Sequence, residues 1–102
     1  MISVCLVDDQ TLVRQGIRSL LELSEDIRIV AEASDGKQAV ELIPQVKPDV
    51  VLLDLGLPDG HGLDFYEANR ERLEGSVVIV MTALGAVGEA VRAMKLGALD
   101  FL

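Results

Sequence analysis

Asp8 and Asp9 form an acidic pair directly after the apolar run Ile2 to Val7, and Asp54 stands at the end of the run that starts at Val50. Carboxylates brought close together disfavour ionisation unless a cation sits among them. Hard oxygen ligands of this kind, with room left for water and a phosphate oxygen, suit Mg2+ better than Zn2+. Thr82 and Ala83 follow a third apolar run, Val77 to Met81, where a hydroxyl and a small residue's backbone N–H could hold a phosphoryl oxygen. Singly, each residue has an ordinary reading as a loop or capping residue, since Asp is common after strands. Together they describe a site for phosphoryl chemistry on a carboxylate.

The three acids meet only if the chain folds so that their strands are neighbours. Apolar runs of strand length do alternate with segments of helical period. Ile2 to Val7 is nearly continuous, as expected of a parallel strand covered on both faces. Thr11 to Leu23 follows, with Val13, Ile17, Leu20 and Leu21 at helical spacing. Ile27 to Ala33 reads as an edge strand with Ile27, Ile29, Ala31 and Ala33 on one face. A short helix is expected around Ala39 to Ile43, kept short by Pro44 and Pro48. Val50 to Leu55 is the most apolar strand and belongs near the sheet centre. Leu57 to Gly62 reads as a loop from its Pro and Gly content. Leu63 to Leu73 is expected as a helix, Val77 to Met81 as a strand and Ala86 to Leu96 as a helix closed by Gly97. A fifth strand begins at Leu99. Such a βαβαβαβαβ order implies a doubly wound, five-stranded parallel sheet with helices on both faces. In strand order 2-1-3-4-5 the first and third strands are neighbours about 4.8 Å apart, and their carboxyl ends flank the point where strand order reverses.

Composition narrows the function. The 102 residues make one domain at most, with 50% hydrophobic and 25% charged residues. Seventeen acids against nine bases give a net charge of −8, which repels phosphate backbones and argues against nucleic acid contact by this segment. No apolar run approaches the ~18 residues of a membrane span. One Cys, Cys5, cannot form an intramolecular disulfide and reads as a small buried hydrophobe, which fits a reducing, cytoplasmic setting. His61, the sole histidine, lies in a loop and is too little for a metal set or a catalytic triad.

Four stretches carry a resemblance. Leu6-Val7-Asp8-Asp9, Leu53 to Gly62, Met81-Thr82-Ala83 and Gly97 to Leu102 resemble, in order and spacing, the successive signatures of response regulator receiver domains of two-component signalling. Val13 to Ile17 and Glu32 to Gly36 resemble the NarL/FixJ type in particular. The resemblance implies a flavodoxin-like, CheY-like fold and a single receiver domain over residues 1–102, C-terminally incomplete and without the fifth helix. It matches Asp54 to the phosphoacceptor and Asp8 and Asp9 to the Mg2+-binding pair, with Asp9 a direct ligand and Asp8 acting through water. Gly56 matches the position that ligates the metal through its backbone carbonyl. Thr82 matches the switch hydroxyl and Phe101 the aromatic whose rotamer follows it. The family's phosphoryl-pairing lysine would fall at position 104, past Leu102, and Lys95 does not fit its motif. Implied partners are a sensor histidine kinase, an output domain outside this chain, of the DNA-binding kind expected in such regulators, and a homodimer mate. Glu89, Arg92 and Lys95 would lie on the face that reports the switch.

Two rival readings carry different chemistry. A phosphohydrolase of the haloacid dehalogenase type also uses a nucleophilic Asp after a parallel strand, but it places a second Asp two residues later. That place is Gly56, which has no proton to give. An interaction module that is never phosphorylated is the other rival, separated from a switch by whether acetyl phosphate or beryllofluoride binds with Mg2+.

Overall fold

A computed structural model of the chain describes residues 1–81, 87–98 and 100–101. Its elements run β1 (Ile2–Val7), α1 (Thr11–Leu21), β2 (Ile27–Ala33), α2 (Gly36–Val46) and β3 (Val50–Asp54). They continue with β4 (Gly56–Leu57), β5 (Gly60–His61), α3 (Gly62–Ala68), α4 (Arg70–Leu73), β6 (Val77–Met81), α5 (Val87–Leu96) and β7 (Asp100–Phe101). The main sheet has the order β2-β1-β3-β6-β7, all parallel. This is the 2-1-3-4-5 order expected from the alternation of strands and helices.

Two apolar layers flank the sheet. On one side Ala39 and Ile43 of α2, Leu63 and Tyr66 of α3, Leu73 of α4 and Ala93 of α5 pack with Cys5, Val7, Val51, Leu53 and Val80. On the other, Ile17 and Leu21 of α1 pack against Val4, Leu6 and Ile29, with Val50 and Leu52 partly buried beside them. β1 and β3 are covered on both faces, which is why their sequences are nearly continuous apolar runs, interrupted by Ser3 in β1 and ended by Asp54 in β3.

Local details depart from the sequence expectation for identifiable reasons. Ile27, Ile29, Ala31 and Ala33 do not share a face. Val4 pairs with Ile29 but Cys5 with Ala31, so Val30 is an extra residue in β2. This bulge turns the strand over, placing Ile27 and Ile29 on the α1 side and Ala31 and Ala33 on the α2 side. In α1, Ile17 and Leu21 face the sheet, whereas Leu20, rotated away at 100° per residue, is 70% exposed. Pro44 does not end α2. It is exposed in the last turn, where it removes one hydrogen bond while buried Ala39 and Ile43 hold the helix down. The stop is Lys47, at φ 44 in the left-handed region, followed by buried Pro48. The helix expected from Leu63 to Leu73 breaks at Asn69 (φ −120, ψ 22), whose side-chain amide donates to the Phe65 carbonyl at 2.9 Å. Gly97, at φ 108, closes α5 as expected and donates its N–H to the Met94 carbonyl at 3.1 Å.

The buried centre of β3 sets the stability. Leu53 has no exposed surface, so Leu53→Ala should cost about 2–5 kcal/mol in urea unfolding. A loss under about 1 kcal/mol would contradict its place in the core.

Candidate functional site

The site begins as a matter of strand register. Val7 pairs with Leu53, so the next residues out of the sheet, Asp8 and Asp54, leave it side by side. Ligand oxygens of Asp8, Asp9 and Asp54 lie within 4.8 Å of one another. Asp8 is 5% exposed, Asp54 is half-buried and Asp9 is open to solvent.

The backbone around Asp8 is pinned from three directions. Its N–H donates to the Ala33 carbonyl at 3.0 Å, continuing the β1–β2 ladder one residue past β1. Its side-chain Oδ1 accepts the Gln10 N–H at 2.8 Å. Its carbonyl accepts from Arg14 at 2.6 Å, and Arg14 is itself held by Glu32 at 3.4 Å. Arg14 was not singled out by sequence, because nothing in its spacing shows that a helix residue reaches back to the preceding strand end.

Burial pushes the Asp54 carboxyl above the ordinary carboxylate range, and the charge of Asp8 and then that of Asp9 push the same way. Hydrogen bonds from the Gly56 and Leu55 N–H groups oppose this without cancelling it. Three carboxylates this close together favour a cation among them, and their donor set is hard oxygen, with no His or Cys in the cluster. The residues present therefore fit Mg2+.

The segment after Asp54 is a tight hairpin where a loop was expected. Gly56 pairs with His61 and Leu57 with Gly60, leaving Pro58 and Asp59 as the turn. Leu57 is buried, and Gly60 has φ 148, a conformation that favours glycine. Gly62 donates to the Leu55 carbonyl at 2.8 Å, and a Cβ on it would stand 2.6 Å from the Asp54 carbonyl oxygen, so only glycine fits. A Cβ on Gly56 would meet Asp54 Oδ2 at 3.6 Å, an ordinary contact. The Asp59 carboxylate accepts the N–H groups of Gly36 at 2.9 Å and Lys37 at 3.0 Å, which hold its carboxyl below the ordinary range. Its identity in a Pro-Asp-Gly turn gave no sign of a partner 23 residues away.

Thr82, Ala83 and Leu84 lie outside the described residues. Their approach is described: Met81, the residue before Thr82, pairs with Asp54. Phe101 lies in β7 with its backbone paired to Val80, and its side chain is outside the described set. Among the residues expected on a reporting face, Arg92 bonds Asp64 at 2.8 Å and Glu67 at 2.7 Å, and the side chain of Glu89 lies outside the described set. Lys95 is exposed.

Fold and site define an α/β module with an acidic, cation-competent pocket at the reversal of strand order. The chain belongs to the response regulator receiver domain family, whose sequence pattern matches residues 4–102. It is 34% identical over 100 residues to the nitrate/nitrite response regulator protein NarL of Escherichia coli K12, covering 98% of this chain and 46% of NarL. It is 36% identical over 104 residues to a protein-glutamate methylesterase/protein-glutamine glutaminase of Methanococcoides burtonii, covering all of this chain and 29% of that protein. Among solved structures it resembles the signal receiver domain of a NarL from Mycobacterium tuberculosis, with TM-score 0.89 and 35% identity over 99% of this chain and 82% of that one. The chain thus spans less than half the length of the two relatives. Receiver domains are signalling switches of two-component systems and generally bind Mg2+ through an acidic pocket, as the sequence resemblance implied.

The raised Asp54 pKa makes a pH prediction. An acid whose folded pKa is raised binds its proton more tightly when folded, so its ionisation costs stability as pH rises through that value. The cost is absent below the ordinary carboxylate pKa of 3.8 and complete above the raised one. In metal-free buffer, Asp54→Asn should therefore melt above wild type at neutral pH, with the gap closing as pH falls below that range. Equal melting temperatures at neutral pH would show that the carboxylates do not strain one another.

Proposed function

We propose that this chain is the phosphoacceptor switch of a response regulator and that Asp54 takes a phosphoryl group from the phosphohistidine of a sensor histidine kinase. The observation that carries this reading is the convergence of Asp8, Asp9 and half-buried Asp54 within 4.8 Å. An Asp54 carboxylate oxygen forms a bond to phosphorus as the phosphorus–nitrogen bond of the donor breaks, and the imidazole leaves with its electron pair. Gly56 lies against the nucleophile, and the Leu55 N–H, donating to the Met81 carbonyl at 3.1 Å, holds the backbone that follows it. Asp9, Asp54 and the Gly56 carbonyl, with Asp8 acting through water, would hold Mg2+, which would supply positive charge to offset that of the transferring phosphoryl group. The Thr82 hydroxyl and Ala83 N–H receive the phosphoryl oxygens, and Phe101 follows Thr82 inward, shifting a two-state equilibrium.

The product is an acyl phosphate later lost to water. Gly56, lacking an acid two residues past Asp54, gives these residues no means to turn over a separate substrate. NarL is named as a response regulator and the Methanococcoides burtonii protein as a methylesterase, so the output lies in the sequence that each adds to its receiver. A DNA-binding output suits this chain better, given its NarL-like segments, and it would act in the cytoplasm with DNA contact left to that output by the −8 charge here. Among the described residues no helix is long and apolar enough to cross a membrane.

Acetyl phosphate with Mg2+ should add one phosphoryl group to the chain, in a base-labile linkage. Asp54→Asn should abolish it while leaving the circular dichroism spectrum unchanged. Base-labile phosphate retained at full yield in that variant would place the acceptor elsewhere.

A further inference from the structure

The hairpin that carries Gly56 has only two residue pairs, Gly56 with His61 and Leu57 with Gly60. A two-stranded ribbon of that length does not hold itself in water. Its stem is tied to the sheet by the Gly62 N–H on the Leu55 carbonyl and by buried Leu57. Its tip is tied to α2 through Asp59. That carboxylate bridges the first two free N–H groups of α2, Gly36 at 2.9 Å and Lys37 at 3.0 Å. A carboxylate is well placed there, against the positive end of the helix dipole.

Capping α2 is not the whole explanation for Asp59. The helix has its own cap in Asp35, whose side chain accepts the Gln38 N–H at 2.7 Å. Asp59 instead spans two elements, joining the turn after Asp54 to the junction between β2 and α2. Gly36 leaves room for it: a Cβ there would press on Asp59 Oδ1 at 3.3 Å and on Phe65 at 3.2 Å. At the other end of the same hairpin, Gly56 lies against the Asp54 carboxylate, where a Cβ would stand 3.6 Å from Oδ2.

We propose that Asp59 is a positioning residue for the phosphoacceptor site, clamping the hairpin tip to α2 so that Gly56 stays against Asp54 and presents its carbonyl to the cation. The proposal rests on the reading of Asp54 as the phosphoacceptor for its effect on transfer, but its effect on cation binding stands without that reading. Loss of the clamp frees the tip and lets Gly56 move away from Asp54, while Asp8, Asp9 and the sheet stay in place.

The test compares wild type, Asp59→Ala, Asp59→Asn and Asp35→Ala in the full chain. Asp59→Asn is isosteric but turns one of the two acceptor oxygens into an NH2 group, so in the same pose one of the two N–H groups loses its partner. Asp35→Ala weakens the same helix end without touching the hairpin, so it reports what a structural role alone would do. Three readouts are taken: the Mg2+ dissociation constant from backbone amide shifts, the acetyl-phosphate labelling rate at saturating Mg2+, and exchange of the Gly36 and Lys37 amides. Both Asp59 variants should bind Mg2+ about tenfold more weakly, as outer-shell partners of metal sites do. They should also label more slowly and lose protection at Gly36 and Lys37. Asp35→Ala should keep wild-type Mg2+ affinity. Equal Mg2+ affinity in wild type and both Asp59 variants, or an equal loss in Asp35→Ala, overturns the proposal. A wild type that binds Mg2+ but takes no phosphoryl group overturns the phosphoacceptor reading instead, and the Mg2+ arm still decides the role of Asp59.

Discussion

Mutual repulsion among three carboxylates is the constraint around which this structure is arranged. The pairing of Val7 with Leu53 leaves Asp8 and Asp54 no choice but to emerge together, and Asp9 follows one residue later. Such a cluster is costly in an unliganded fold, because burial and like charge both disfavour ionisation. The rest of the molecule keeps that cost from being relieved by movement. Apolar β1 and β3, covered on both faces, fix the strand ends. Arg14, Gln10 and the Ala33 carbonyl hold the Asp8 backbone and side chain. Gly62 admits the chain so close to Asp54 that any side chain would collide.

On the proposed reading, a cluster held in this way would convert chemistry into a conformational signal. Adding a cation and a phosphoryl group changes the charge at one point of an otherwise fixed sheet edge, so the response must come from the elements that border it. Two bordering connections are described. The hairpin after Asp54 is joined through Asp59 to α2, and Arg92 of α5 is bonded to Asp64 and Glu67 of α3. The second pair is exposed and contributes little to stability. It can therefore be exchanged for other partners at low cost, which suits a surface that must change on signalling.

Much of this was legible in the sequence because it is written in periodicity. The continuous apolar runs of β1 and β3 marked buried parallel strands, and the strand order followed from alternation with helices. Acids at two strand ends then marked the pocket, without any knowledge of distances. What escaped was decided by contacts between distant residues or by single-residue backbone choices. The extra residue Val30 in β2 is invisible to a period-two pattern, yet it sends Ala31 and Ala33 to the opposite face from Ile27 and Ile29. Asn69 breaks the helix expected from Leu63 to Leu73, because its side chain competes for a backbone carbonyl. Asp59 looked like turn chemistry alone, since a carboxylate in a Pro-Asp-Gly turn explains itself locally. Its longer-range bonds to α2 depend on the packing of β2 and β3 in one sheet.

The central claim is that the acids at the ends of β1 and β3 are strained by one another and resolved by a cation. Carbon-detected NMR titration of the Asp54 carboxyl, with and without Mg2+, measures that strain at the group that feels it. Without metal, Asp54 should titrate above an ordinary Asp. Saturating Mg2+ should carry its midpoint below the ordinary value, because an adjacent cation favours the charged form. A midpoint that is ordinary without metal and unmoved by Mg2+ would contradict the account.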